Sequence, residues 1–215
     1  MVYDHVTRVP FLVKGPGIQP GQTLDHVAGM ADVTPTLLEL IAGTKNSEPV
    51  RAMMDGQSWA PLLLAKNGSM NSDSVAPAPF VRTATLIEYH ARGGNRCSGM
   101  HMGSAPGTAP SIRYNVSCHY HDGPNNSFVA LRIIAPQTGN LLYAEFVDGN
   151  DPAGYDYAPA AINFRELYNV SSDHHMLHNV YHEATGGLKS LLHDRLQLAI
   201  ECRGSKQCEG LLEFS

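Results

Sequence analysis

Three hydrophobic patterns follow one another along the chain. In "RVPFLVKGPGIQPG", Phe11, Leu12 and Val13 form an unbroken apolar run closed by Gly15, Pro16 and Gly17. That pattern predicts a short strand buried on both faces of a parallel sheet. Only ten residues precede Phe11 and no βαβ unit follows it, which leaves open where its sheet partners lie. "ADVTPTLLELIAG" then predicts a short, buried helix: Asp32 or Thr34 can cap it, Pro35 suits its first position, and Gly43 ends it. In "MDGQSWAPLL", Asp55 and Gly56 predict a turn, and Ser58 can cap one more helical turn ending at Leu64.

From 65 to 80 the residues are mostly Lys, Asn, Gly, Ser, Asp, Ala and Pro, the composition of a surface linker. The pattern beyond it changes to β-rich runs at 81–90, 127–136, 140–148 and 162–170. "PQTGN" joins the middle two as a hairpin, which makes them antiparallel. From Gly187 to Cys202, Leu188, Leu191, Leu192, Arg195, Leu196 and Ala199 fall at helical spacing, predicting an amphipathic helix over one face of the sheet. The expected organisation is therefore 1–64, a linker at 65–80, and a second unit at 81–215. The long stretch from Ala91 to Pro124 exceeds a plain turn.

Composition narrows the function classes. An apolar fraction of 43% in 215 residues is that of a chain able to bury a core. Net charge is -5 with Lys and Arg scattered, which gives no footprint for nucleic acid or an anionic membrane. No apolar run approaches the roughly 18 residues of a membrane span, and "MVYDHVTRVP" lacks the pattern of a signal peptide. The four cysteines fall into two local pairs, Cys97 with Cys118 and Cys202 with Cys208, which fits either disulfides in an oxidising compartment or four reduced thiols. Sequons at Asn67, Asn115, Asn125 and Asn169 lie in loop-like stretches, as glycosylation sites would. Secretory features without a signal peptide lead us to expect an N-terminally incomplete chain.

In this order, "YDHVTRVPFLVKGPGIQPG", "ADVTPTLLELIAG", "MDGQSWAPLL" and "FRELYNVSSDHHMLHNVY" resemble the C-terminal part of the sulfatase family, within the alkaline phosphatase superfamily. "LIEYH" before a cysteine-containing loop, "YAEFVD" and "ECRGSKQCEG" look most like the N-acetylglucosamine-6-sulfatase branch of that family. The resemblance implies an α/β fold: the end of a mixed-sheet domain, then a small four-stranded antiparallel sheet with a packed C-terminal helix. It also implies a lysosomal or secreted enzyme that removes sulfate from glycosaminoglycan-type sugars, with calcium and a formylglycine made from the Cys of C-x-P-x-R. None of the four cysteines fits that motif, and the family's catalytic Lys would fall just ahead of Tyr3. No catalytic residue and no metal ligand carries over, so these residues alone are expected to be inactive.

Four further constellations have two readings each. His174, His178 and His182 recur at i, i+4 and i+8, which suits metal ligands on one helix face, but the resemblance makes the segment an irregular turn. His119 and His121, and the oxygen-rich "DGNDPAGYD" from Asp148 to Asp156, read more simply as loops. Glu88 and His90 alternate out of one face of "LIEYH". By the resemblance this strand end lies near the rim of the substrate cleft, where a carboxylate and an imidazole can hydrogen-bond sugar hydroxyls; otherwise it is a solvated strand end. The competing functional class is a non-catalytic secreted glycoprotein that binds glycans or partners, and a phosphodiesterase of the same superfamily is a third.

Overall fold

The computed structural model describes residues 2–24, 26–65, 82–90, 126–147, 161–208 and 210–214. In chain order the elements are α1 (Asp4–Thr7), a 3-10 turn (Met30–Asp32), α2 (Val33–Ala42), α3 (Thr44–Arg51) and α4 (Ala60–Leu64). Strands β1 (Ala84–Tyr89), β2 (Ser127–Ala135), β3 (Gly139–Val147) and β4 (Ile162–Asn169) follow, then α5 (Gly186–Glu201) and α6 (Ser205–Cys208). The strands form one sheet in the order β1-β2-β3-β4. All four β-rich runs are strands within a few residues of expectation, and the architecture is a helix and antiparallel-sheet mixture. Gly139, at a φ of 87°, completes the β2–β3 turn in a conformation other residues resist.

The chain divides into two compact units. The first takes in Met1–Ile87, Val129–Ala144 and Arg165–Ser215, so it draws on residues from both sides of the 65–80 stretch. Within it the central strands are buried on both faces: Leu131 and Ile133 of β2 and Leu142, Tyr143 and Ala144 of β3 are all inaccessible. Tyr181 stacks on Tyr143 from one face, and α5 buries Leu192, Leu196 and Ala199. Thr185 caps α5, its hydroxyl accepting the Leu188 N–H at 3.3 Å. The N-terminal segment engages the other face. Arg132 of β2 makes a bidentate pair with Asp4, at 2.7 and 3.0 Å, and Tyr3 packs edge-on against Tyr168 of β4.

Two expectations for the N-terminal segment are corrected. Residues 8–15 form no strand, and Val9, Phe11 and Leu12 are exposed, Leu12 at 95%. A strand needs a ladder partner, and none of the described strands pairs with this run. Helix α2 forms as predicted and ends at Gly43 (φ 78°), but it is not simply buried. Asp32, Thr36 and Glu39 face inward while Leu37 and Ile41 are exposed, Ile41 at 83%.

The cause is a set of partners distant in sequence. Asp32, wholly inaccessible, accepts the Gly29 and Gln57 N–H groups at 2.8 Å each and pairs with Arg82. Thr36 donates to the Asp32 carbonyl at 2.6 Å and accepts the Trp59 N–H at 2.9 Å. Glu39 pairs with Arg51 at 3.2 Å. Removing one member of a buried ion pair typically costs about 3–5 kcal/mol, more than burying one Leu contributes, roughly 1.5–3 kcal/mol. Gly56 permits the approach: a Cβ there would lie 2.1 Å from the Ala31 carbonyl oxygen.

Candidate functional site

Edge strand β1 ends at Tyr89, and Glu88, Tyr89 and His90 are all exposed. These residues belong to the second unit, Glu88–Phe128 and Glu145–Phe164. Tyr89 begins a row of rings, one from each strand. It stacks on Phe128 at 5.6 Å; Phe128 meets Phe146 at 5.3 Å, and Phe146 meets Phe164 at 5.7 Å. Cross-strand aromatic pairs of this kind stiffen a sheet, so the row fixes the strand ends from which Glu88 and His90 project. Alternation along β1 sends those two side chains to the face opposite Tyr89. An exposed carboxylate and imidazole two positions apart can accept and donate hydrogen bonds to hydroxyl-rich ligands. The aromatic row escaped the sequence reading because its members are isolated in four separate runs.

A second polar group lies in the first unit. Glu166 of β4 is 8% exposed, and its Oε2 has no hydrogen-bond partner. Burial pushes its pKa up, against a lowering hydrogen bond with Tyr168. Burial also pushes the Tyr168 hydroxyl well above its ordinary value, with the Glu166 charge and Tyr3 adding to the rise. Inside "FRELYNV" alternation sets this Glu on one face with Phe164 and Tyr168, but its residue type gave no sign that it would be buried.

Cys202 and Cys208 form a disulfide. It encloses Gly204, whose N–H donates to Asp55 at 2.7 Å, while the Ser205 N–H donates to the Ala52 carbonyl at 3.2 Å. Asn169 is exposed, its side-chain oxygen accepting the Ser171 N–H at 3.2 Å. His174, His178 and His182 do not share a helix: the first two sit in an irregular turn and the third in a 3-10 turn, Tyr181–Glu183. Among the described residues, no three His, Cys, Asp or Glu side chains converge as a metal ion would need. Cys97, Cys118, Asn67, Asn115, Asn125, His119, His121 and the stretch 148–156 lie outside the described residues.

Comparison with known proteins adds the class. No family model matches. The N-acetylglucosamine-6-sulfatase of Bos taurus is 29% identical over 94% of this chain, which covers 31% of that protein. An arylsulfatase of Volvox carteri is 26% identical over 94% of this chain and 26% of its own length. A solved structure from work on glycosaminoglycan metabolism by Bacteroides thetaiotaomicron superposes with a TM-score of 0.48 at 13% identity, covering 90% of this chain and 30% of that one. The chain is a homologue of sulfatases. It corresponds to the C-terminal part of N-acetylglucosamine-6-sulfatases and spans about a third of their length. No helix among the described residues is long and apolar enough to cross a membrane.

Proposed function

We propose that this chain serves as the C-terminal part of a sulfuric ester hydrolase acting on sulfated glycosaminoglycan-type sugars, with N-acetylglucosamine-6-sulfatase-like specificity. The observation that supports this most is the breadth of the similarity to the Bos taurus enzyme, 94% of the chain. A non-catalytic glycan-binding glycoprotein is the competing reading. Formylglycine and calcium would supply the nucleophile and polarise the sulfate. The described residues do not fit either group: Cys202 and Cys208 are bonded to each other, and no metal-ligating set is present among them. We therefore assign the described residues no chemical step.

Its contribution is recognition. Glu88 and His90, held at the end of β1, would hydrogen-bond the sugar and not the sulfate. The exposed Asn169 would carry an N-glycan, and the whole protein would work in the lysosome or outside the cell.

The test is sulfate release from 6-sulfated N-acetylglucosamine by the intact protein that carries this segment. Release is expected from the intact protein and not from residues 1–215 alone. In the intact enzyme, Glu88→Ala or His90→Ala should raise KM for the natural glycan more than for a small aryl sulfate. No release by the intact protein would sink the enzymatic reading in favour of glycan binding alone, and equal effects on both substrates would remove Glu88 and His90 from the site.

A further inference from the structure

The turn between β4 and α5 exposes four imidazoles, His174, His175, His178 and His182, that the proposed function leaves without a task. Its backbone is tied down at several points. The Asn169 carbonyl accepts the Ser172 and Asp173 N–H groups, and the Asp173 carboxylate accepts the His178 N–H at 2.8 Å. Asn179 bolts the turn to β4: its Oδ1 accepts the Leu167 and Tyr181 N–H groups, and its Nδ2 donates to the Arg165 carbonyl, all at 3.0 Å. Met176 adopts a φ of 52° and buries its side chain to 5% exposure. With Met176 as the inward anchor, the histidines on either side are left in solvent. Beside them Lys189 of α5 donates to the His182 carbonyl at 3.2 Å and lies 5.0 Å from the centre of the Tyr181 ring.

We propose that this turn is an acid-responsive binding surface for sulfated glycan chains. From Asp173 to Lys189 the charged groups are Asp173, Glu183 and Lys189, leaving one net negative charge while the imidazoles are neutral. With all four imidazoles protonated the same stretch carries three net positive charges. Imidazole is the side chain that ordinarily changes charge between about pH 5 and 8, so a surface with four of them gains positive charge on acidification. The flanking elements add His193, Asp194 and Arg195 from α5 and Arg165, Tyr168 and the inward-facing Glu166 from β4. At neutral pH these residues are one Arg in excess over carboxylates at most, which offsets the one negative charge of the turn and leaves the surface near neutral. A fixed backbone means that binding a polyanion orders little that is not already ordered. Choosing a sulfated glycan among polyanions rests on the sulfatase reading, whereas the gain of positive charge does not.

The experiment is binding of the full chain to immobilised heparin at pH 5.5 and 7.5 and one ionic strength, with unsulfated hyaluronan as the comparison. Affinity for heparin should be roughly tenfold higher at pH 5.5, as several added charges facing a polyanion imply. His174→Gln, His175→Gln, His178→Gln and His182→Gln together should abolish that gain while far-UV circular dichroism stays unchanged. Should the fourfold variant misfold, His174→Gln with His175→Gln should still remove about half the gain on a logarithmic scale, as two of four charges. Lys189→Gln should weaken binding at both pH values. Equal heparin affinity at the two pH values, or an acid gain that survives in a folded histidine variant, would overturn the proposal. Equal affinity for hyaluronan would overturn its sulfate specificity. Because no hydrolysis is read, failure here leaves sulfate release by the intact protein as a separate question.

Discussion

Asp32 and Glu166 are both buried carboxylates, and their partners set them apart. Asp32 has two N–H donors and the Arg82 guanidinium, so its charge is matched inside the protein. Glu166 leaves Oε2 unpartnered, and burial raises its pKa above the ordinary 4.5. A raised carboxyl pKa means that, above 4.5, the native state holds a proton the unfolded state has released. Stability therefore falls as pH rises through that window. Glu166→Gln removes the ionisation, so the variant should hold a flatter Tm from pH 4.5 to 7 and exceed the parent at pH 7. Thermal melts across that range check this; parallel declines in parent and variant would refute the assignment. In the sequence, alternation sets Glu166 on the same strand face as Phe164 and Tyr168, but a lone carboxylate there does not announce its burial. Its neighbour Tyr168 packs edge-on against Tyr3, 165 residues earlier in the numbering, a contact that no local pattern announces.

At the scale of elements, the legible pieces are those whose signals are local. The β2–β3 hairpin follows from two apolar runs and "PQTGN", and α5 from leucines at helical spacing. Helix α3 was not foreseen: "TKNSEPVR" has no apolar stripe and contains Pro49. It is held instead by Arg51, which bridges Glu39 and Glu48, and by the buried Ser47. The Cys202–Cys208 disulfide holds the α5–α6 turn against the loop before α4, where a Cβ on Gly204 would lie 2.8 Å from the Ala52 carbonyl oxygen. Replacing both cysteines with serine should lower stability by about 2 kcal/mol, the chain-entropy value for so short a loop. It should also raise amide exchange at residues 52–57. Urea denaturation and hydrogen exchange measure the two effects, and unchanged exchange at 52–57 would show that the turn holds without its tether.

For the whole molecule, the exposed apolar residues of 9–13 and α2 are the consequential feature. Phe11, Leu12 and Val13 with Val33, Leu37, Leu40, Trp59 and Leu63 border a cavity of about 240 Å³. Val9 and Ile41 add further exposed apolar area. Contiguous patches of this kind drive association in water. Residues 1–215 alone should therefore show concentration-dependent self-association, and Leu12→Glu with Ile41→Lys should suppress it without loss of the sheet. Sedimentation velocity over a tenfold concentration range tests this, and a monodisperse monomer in the parent chain would contradict it.

The sequence by itself determined the four strands, α2 and α5, the local cysteine pairing at Cys202 and Cys208, and the sulfatase resemblance that the comparisons bear out. Each of these depends on residues within a few positions of one another, or on the order of such stretches. Tertiary structure decided which way α2 faces, because Asp32 meets Arg82 fifty positions away. It also decided that Arg132 is matched by Asp4, 128 positions earlier, and that four aromatic residues from four strands form one row. Those contacts carry their energy across long chain separations, where a linear pattern of apolar and polar residues records neither the partner nor the face.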